Sequence, residues 1–293
     1  MDILLISVLA VLGLCAGSFA GATVWRLRAK QLVEDKAEGE EVDKGEYDAL
    51  LPLTKVTTKT DRSRCLHCGH TLQWYDLLPL VSWASAGGKC RYCHERIGWF
   101  EPLMELGMAA LFVLSFWLWP YAIQTPTEVG LFSLWIVTAV LLIILFAYDL
   151  KWFLLPNKVM FPLIFVTAII AVLQILLSPD WVGALISMAI GIAILSGLYL
   201  LLWLISKGEW IGFGDVKLGL ALALILADWQ LAFLALFAAN FFGMMIVLPG
   251  MLMGKITRQT RVPFGPLLTV GALFSFFFGR TVIQWYLSSP TWL

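Results

Sequence analysis

Two aspartates stand at the ends of long apolar segments, where a charged side chain is unusual. Asp149 ends the run LWIVTAVLLIILFAYD, and Asp215 follows Gly212-Phe213-Gly214 at the start of another apolar stretch. Two carboxylates that share one proton can hydrolyse a peptide bond, because one activates a water molecule as general base while the other polarises the carbonyl group. The alternative is structural, since many membrane helices end with an acid at the interface and Gly-x-Gly is common where such helices pack.

A second group of chemically capable residues lies in a hydrophilic segment nearer the N-terminus. Four of the five cysteines form two C-x-x-C pairs, Cys65 with Cys68 and Cys90 with Cys93. Four thiolates at this spacing are typical of a closed, tetrahedral zinc site with a structural role. Redox-active or merely buried thiols are the alternative, and the doubled pair favours zinc over both. Thiols on the cytoplasmic side stay reduced, so no disulfide is expected.

The composition indicates which elements must position these residues. Of the 293 residues, 60% are hydrophobic and 14% are charged, and the mean hydropathy is +0.85. The charges concentrate between residues 26 and 101, and long apolar runs fill the rest, as in a protein that crosses a bilayer. The predicted fold class is an all-α polytopic membrane protein with about eight transmembrane helices. They are expected near residues 3–25, 102–119, 130–148, 158–177, 182–205, 216–229, 231–253 and 266–286.

The basic residues predict the orientation in the bilayer. All but one of the 20 lysines and arginines lie in the connections after the first, third, fifth and seventh predicted helices. Such basic connections stay in the cytoplasm, and the last of them contains Lys255, Arg258 and Arg261. The N-terminus is therefore expected outside, with both aspartates and the cysteines on the cytoplasmic side of a bacterial inner membrane. The net charge of zero gives no reason to expect nucleic-acid binding.

The chain divides into three predicted parts. Residues 1–25 form the first transmembrane helix, residues 26–101 a small cytoplasmic zinc-binding loop domain, and residues 102–293 a seven-helix membrane core. Within the loop, the acidic and polar residues 33–50 are predicted to be a solvated, flexible connector.

Several blocks along nearly the whole chain resemble the bacterial type IV prepilin peptidases, which belong to the GxGD group of intramembrane aspartyl proteases. The matching blocks are Gly17-Ser18-Phe19, the two cysteine pairs with Leu78-Pro79-Leu80 and Gly87-Gly88 between them, Pro102-Leu103 with Glu105-Leu106, Asp149 with Leu154-Leu155-Pro156, Gly212 to Lys217, and Pro263-Phe264-Gly265-Pro266. The family usually carries a second acid two residues after the first catalytic aspartate, where this chain has Lys151. That ammonium group should favour the ionised form of Asp149.

The resemblance implies an activity and its residues. Asp149 and Asp215 would be the catalytic pair of an endopeptidase that removes the short basic leader of prepilins and pseudopilins, after a glycine, on the cytoplasmic side. Gly212, Gly214 and Lys217 would belong to the active-site motif. Many members then methylate the new N-terminus with S-adenosylmethionine, and Gly88 matches a glycine associated with that second activity.

Two residues and two other functions leave alternatives. Glu105 receives the positive end of a substrate or pairs with a basic loop residue, and Lys217 holds a substrate group or extends to the interface. A proton- or ion-coupled transporter would use Asp149 and Asp215 as ion ligands, although such sites usually lie at the midplane between repeated halves. A membrane-anchored zinc-ribbon interaction module would leave both aspartates unexplained.

Overall fold

The computed structural model describes residues 2–54, 62–121, 123–254 and 262–288, and these ranges are almost entirely helical. The long helices are α1 (Asp2–Ala37), α4 (Phe100–Trp117), α5 (Pro126–Trp152), α6 (Asn157–Leu177), α7 (Trp181–Ile192), α8 (Leu198–Ser206), α9 (Phe213–Leu226), α10 (Trp229–Leu252) and α11 (Phe264–Ser288). Two short helices, α2 (Lys44–Leu50) and α3 (Val81–Ser85), lie between α1 and α4. The described residues contain no β-strand longer than an isolated bridge, so the all-α prediction is confirmed.

Seven helices in the described ranges are long and apolar enough to cross a membrane. They are α1, α4, α5, α6, the continuous segment from α7 to α8, α10 and α11. The sixth of the eight predicted segments, residues 216–229, corresponds to α9, which has 14 residues. At 1.5 Å per residue it is about 21 Å long, whereas the hydrocarbon core is about 30 Å thick. The connection with Lys255, Arg258 and Arg261 lies outside the described residues.

The chain forms two compact units, residues 1–117 and residues 118–293. The first unit therefore includes α4, which the sequence division places with the later helices. Helices α1 and α4 pack tightly through glycines: a Cβ atom on Gly17 would lie 2.6 Å from the Cα atom of Glu105, and one on Gly13 would lie 2.6 Å from that of Ala109. Small residues at four-residue spacing let two membrane helices approach closely.

The prediction of a flexible connector over residues 33–50 is wrong. Helix α1 continues to Ala37, and α2 folds back against it. Leu32 on α1 and Leu50 on α2 are each 2% exposed and share one apolar cluster. Arg28 and Glu46 add an ion pair of 2.7 Å between the two helices. The acidic composition alone would favour a flexible chain. Burial of these leucines offsets the conformational entropy that is lost when the segment becomes ordered.

In the second unit, α9 is enclosed by other helices. Its neighbours are α6, α7, α8, α10 and α11, and most of its residues from Val216 to Leu226 are buried. Between α7 and α8, residues Ala193–Gly197 form one turn of π-helix that also packs against α9. Such single π turns insert an extra residue and often occur near functional sites. The short α9 is thus a buried core helix, which explains how it is stable without crossing the full bilayer.

Candidate functional site

Asp149 lies in the last turn of α5 and is 5% exposed. The helix ends at Trp152 because Phe153 adopts a left-handed conformation (φ 56°), and the Phe153 N–H donates to the Asp149 carbonyl oxygen over 2.9 Å. The Asp149 side chain accepts a hydrogen bond of 3.0 Å from the backbone N–H of Gly265, on Oδ2. These two residues are separated by 116 positions in the sequence. Packing of distant helices therefore fixes the carboxylate.

Gly265 is the second residue of α11, where backbone N–H groups have no partner within the helix. The Asp149 carboxylate binds one of these groups and lies at the positive end of the helix dipole. A Cβ atom on Gly265 would lie 2.6 Å from Asp149 Oδ2, so any side chain there would push the carboxylate away. The block Pro263-Phe264-Gly265-Pro266 has no role in the sequence interpretation beyond its resemblance to a motif. The structure gives its glycine a direct contact with Asp149.

Asp215 lies in the first turn of α9 and is half-buried. The Asp149 carboxylate acts electrostatically on that of Asp215, the other aspartate singled out in the sequence. Gly214 allows this part of α9 to approach the loop after α5, because a Cβ atom there would lie 3.0 Å from that of Leu155. Gly212 is the exposed N-cap residue, and its carbonyl oxygen accepts the Asp215 N–H.

Lys217 makes contacts on the side of α6. Its ammonium group donates a 2.7 Å hydrogen bond to the side-chain oxygen of Asn157, the first residue of α6. The same group lies 5.2 Å from the ring centroid of Phe161 and 5.1 Å from that of Phe213. Lys217 therefore links α9 to α6. Lys151 is exposed on α5, with its ammonium group 5.1 Å from the ring centroid of Trp152.

Glu105 is buried in α4, at 7% exposure. Its carboxylate accepts a 2.8 Å hydrogen bond from the backbone N–H of Leu80 and a second bond from the Ser18 hydroxyl. Leu80 has a positive φ of 58°, which is unfavourable for a leucine and is stabilised here by that bond. Glu105 thus holds the Leu78-Pro79-Leu80 loop and α1 together, a role absent from both alternatives in the sequence interpretation.

The four paired cysteines form one cluster in residues 62–99, which we call the four-cysteine lobe. Their sulfur atoms all lie within 4.8 Å of one another, and those of Cys65 and Cys93 are 3.9 Å apart. Zinc with bonds of about 2.3 Å to four tetrahedral sulfurs requires sulfur–sulfur distances of about 3.8 Å. All four cysteines are free thiols. The cluster is therefore compatible with a structural metal ion.

The two C-x-x-C pairs have the same backbone structure. In each, the first cysteine's N–H binds the carbonyl oxygen five residues later, from Cys65 to His70 and from Cys90 to Glu95. The fourth residue after that cysteine has a positive φ, 69° at Gly69 and 59° at His94. Isolated bridges flank both pairs. These hairpins point both pairs of sulfurs at one centre.

The thiols of the cluster differ in acidity. Burial raises the pKa of the Cys65 thiol to about 12. Burial also opposes ionisation of Cys90, but the backbone N–H groups of Cys93 and Tyr92 outweigh it and lower the pKa of Cys90 to about 7. A metal ion binds the thiolate form of cysteine, and a bound cation stabilises that form.

Gly88 lies in a tight turn of the lobe. It has a φ of 68°, and a Cβ atom on it would lie 3.1 Å from the ring of Trp83. The Trp83 indole N–H is buried without a hydrogen-bond partner among the described residues. The ring of Trp83 also packs against that of Trp99, with centroids 4.6 Å apart. Gly88 is thus required by the backbone, and an unsatisfied donor lies next to it.

A multi-pass helical membrane protein with two interacting aspartates, one of them preceded by Gly-x-Gly, has the features of an intramembrane aspartyl protease. Residues 11–119 match the bacterial peptidase A24 N-terminal domain, and residues 136–248 match the type IV leader peptidase family. This chain belongs to the type IV leader peptidase family. It is a peptidase, and the transporter interpretation is not supported.

Proteins named prepilin leader peptidase/N-methyltransferase are similar to most of the chain. The protein of Dichelobacter nodosus is 30% identical over 92% of this chain and 91% of its own length. The protein of Burkholderia pseudomallei strain 1026b is 31% identical over 92% of this chain and 84% of its own length. The protein of Bacillus subtilis is 29% identical over 77% of this chain and 85% of its own length. No solved structure matches the chain.

Proposed function

We propose that this protein is an aspartyl endopeptidase in which Asp149 and Asp215 are the catalytic pair. One carboxylate, ionised, takes a proton from a water molecule while the water oxygen bonds to the scissile carbonyl carbon. The other carboxylic acid gives its proton to the carbonyl oxygen, which yields a neutral gem-diol. The C–N bond then breaks as the amide nitrogen receives a proton from one carboxyl group and the gem-diol returns one to the other.

The observation that carries the proposal is the hydrogen bond between Gly265 and Asp149, together with the electrostatic interaction of Asp149 and Asp215. The bond holds the Asp149 carboxylate at the start of α11. Two carboxylates that repel each other cannot both ionise easily, which would supply the acid and the base that hydrolysis needs.

The proposed substrates are type IV prepilins and pseudopilins, cut at their short basic leader on the cytoplasmic side. The name of the relatives, prepilin leader peptidase/N-methyltransferase, supports this substrate class. The distribution of lysine and arginine supports an N-terminus outside the cell, with the aspartates and the four-cysteine lobe inside.

The test uses purified protein in lipid nanodiscs and a peptide spanning a prepilin leader and the first residues of the pilin. Asp149→Asn and Asp215→Asn should each lower the cleavage rate by at least about 1,000-fold, because each removes a proton-transfer group. Asp180→Asn is the matched control, since Asp180 caps α7 and asparagine caps equally well. Cleavage by either active-site variant at the wild-type rate would exclude that aspartate.

The four-cysteine lobe is proposed to bind one structural zinc ion through Cys65, Cys68, Cys90 and Cys93. The sulfur–sulfur distances and the thiol donors fit tetrahedral zinc, and four thiolates leave no position for a substrate. The zinc would therefore stabilise the lobe without taking part in peptide hydrolysis.

A second proposed activity is methylation of the newly formed N-terminus. The relatives are named N-methyltransferases as well as leader peptidases, which supports this proposal. S-adenosylmethionine would supply the methyl group, and the terminal amine would attack it. The unsatisfied indole N–H of Trp83 beside Gly88 is a group in the lobe that fits binding of a polar molecule. Adding S-adenosylmethionine to the cleavage assay should shift the product mass by one methyl group. An unmethylated product would contradict this activity while leaving the peptidase intact.

A further inference from the structure

Tyr199 of α8 has a buried hydroxyl group without a partner. The residue is 3% exposed, and its oxygen makes no hydrogen bond to any described residue. Buried phenol groups nearly always find a hydrogen-bond partner, because leaving one unpaired costs folding free energy. The tyrosine lies inside a continuous apolar run and so carries no distinguishing sequence signal.

The π turn before Tyr199 packs against α9, the helix that carries Asp215 in its first turn. Ser196, in that turn, donates a buried 2.9 Å hydrogen bond to the carbonyl oxygen of Val216, the residue after Asp215. Gly219 contacts the carbonyl oxygen of Leu195 so closely that no side chain would fit there. Tyr199 follows Ser196 by three residues, so it lies on the same face one turn further along. Its phenol group interacts electrostatically with the Asp215 carboxylate.

A second contact places Tyr199 near Asp149. Its ring packs edge-to-face against Phe264, with centroids 5.3 Å apart. Phe264 precedes Gly265, the residue whose N–H group holds the Asp149 carboxylate. Tyr199 therefore lies between the start of α9, which carries one aspartate, and the start of α11, which positions the other.

We propose that Tyr199 is a third catalytic group, whose hydroxyl donates a hydrogen bond to the scissile carbonyl oxygen as its carbon becomes tetrahedral. This inference rests on the peptidase function proposed above. Tyr199 keeps its proton throughout, and the transferred protons move between the water, the two carboxyl groups and the leaving amine. A fixed donor in a dry site stabilises the charge that develops on that oxygen more than it stabilises the bound substrate.

The variant that tests this role is Tyr199→Phe, which removes the hydroxyl and keeps the ring against Phe264. In the leader-peptide assay, we expect kcat to fall by about 10- to 100-fold and KM to change by less than about twofold, because the lost bond forms mainly in the transition state. The matched control is Tyr121→Phe, whose hydroxyl accepts a 3.0 Å bond from Gln174. The control should leave kcat unchanged, whereas loss of the bond to Gln174 should lower the thermal unfolding midpoint slightly.

Two inhibitors separate a catalytic from a structural role. A leader peptide with a hydroxyl-bearing tetrahedral centre at the scissile bond should bind Tyr199→Phe about 10-fold or more weakly than it binds the wild type. A leader peptide in which a methylene group replaces the scissile carbonyl should bind both proteins equally, because it lacks the oxygen that Tyr199 contacts. Equal weakening for both inhibitors would indicate a disturbed site and overturn the proposal.

The outcomes also distinguish this inference from the function on which it rests. If the wild type does not cleave the peptide, the proposed substrate class fails. If the wild type cleaves it and Tyr199→Phe does so with an unchanged kcat, only the role of Tyr199 is excluded.

Discussion

The four-cysteine lobe and the aspartate site (Asp149, Asp215, Gly214 and Gly265) are built by contacts of very different range. Each cysteine pair is shaped by backbone hydrogen bonds that span at most nine residues along the chain, as from Leu72 to Ser63 and from Ile97 to Gly88. The aspartate site depends on a bond between residues 116 positions apart and on α9 packing against the loop after α5. A local site can be interpreted from spacing, whereas the contacts that support a site assembled by packing, such as that of Gly265 with Asp149, become visible only in the fold.

The largest expected effect is loss of the metal from the lobe. Replacing Cys65 and Cys90 together by serine should abolish zinc binding and make residues 62–99 sensitive to protease, because structural zinc contributes about 10–16 kcal/mol to such sites. Zinc per chain and limited proteolysis measure this. Cys15→Ser is the matched control, since Cys15 lies exposed on α1. Metal retained by the double variant, or none in the wild type, would contradict the zinc assignment.

The next effect is on the aspartate site. Gly265→Ala should lower the peptidase rate by about 100-fold or more, because the added methyl group would lie 2.6 Å from Asp149 Oδ2 and displace the carboxylate. The zinc content should not change. Gly130→Ala provides the control, since a methyl group there would meet nothing within 4 Å. Full activity in Gly265→Ala would mean that Asp149 does not need this contact.

A smaller effect is expected at Lys217. Lys217→Met should change the peptidase rate by less than about threefold and lower the stability by about 0.5–1.5 kcal/mol, because it removes one hydrogen bond. Asn157→Ala should have the same effect, and the double variant should add little beyond either single one. A large loss of kcat/KM in Lys217→Met alone would instead support the substrate contact suggested by the sequence.

The smallest effects are changes in the stability of the two cysteine hairpins of the lobe. His94 has a left-handed conformation at the position where the other hairpin has Gly69. His94→Gly should stabilise the lobe by about 0.5 kcal/mol, and Gly69→Ala should destabilise it by about 1 kcal/mol. Hydrogen exchange of the lobe amides measures both. If His94→Gly destabilised the lobe or Gly69→Ala stabilised it, the two hairpins would not be equivalent.

Much of the fold followed from the sequence because apolar runs and charge are direct signals. The eight predicted apolar segments are all helices, but length alone could not show that α9 is enclosed by protein. Composition also misjudged residues 33–50, because Leu32 and Leu50 are too far apart in sequence to reveal their contact.

The site was predictable only where residue types are rare in a membrane. The two aspartates stood out because they adjoin long apolar runs, and the four cysteines stood out because of their regular C-x-x-C spacing. Gly265 and Tyr199 did not, because one looks like a helix-packing glycine and the other lies in a leucine-rich run. Glu105 was noticed for its charge, but its partner Leu80 acts through the backbone, which carries no sequence signal.

The enclosure of α9 has a consequence for the lipid environment. Hydrophobic mismatch acts on helices that touch acyl chains, which tilt or shift when the bilayer becomes thicker or thinner. A helix wrapped by its neighbours is insulated from that force, so the depth of Asp215 is set by protein packing. Turnover should therefore vary little between nanodiscs made from short and long acyl chains.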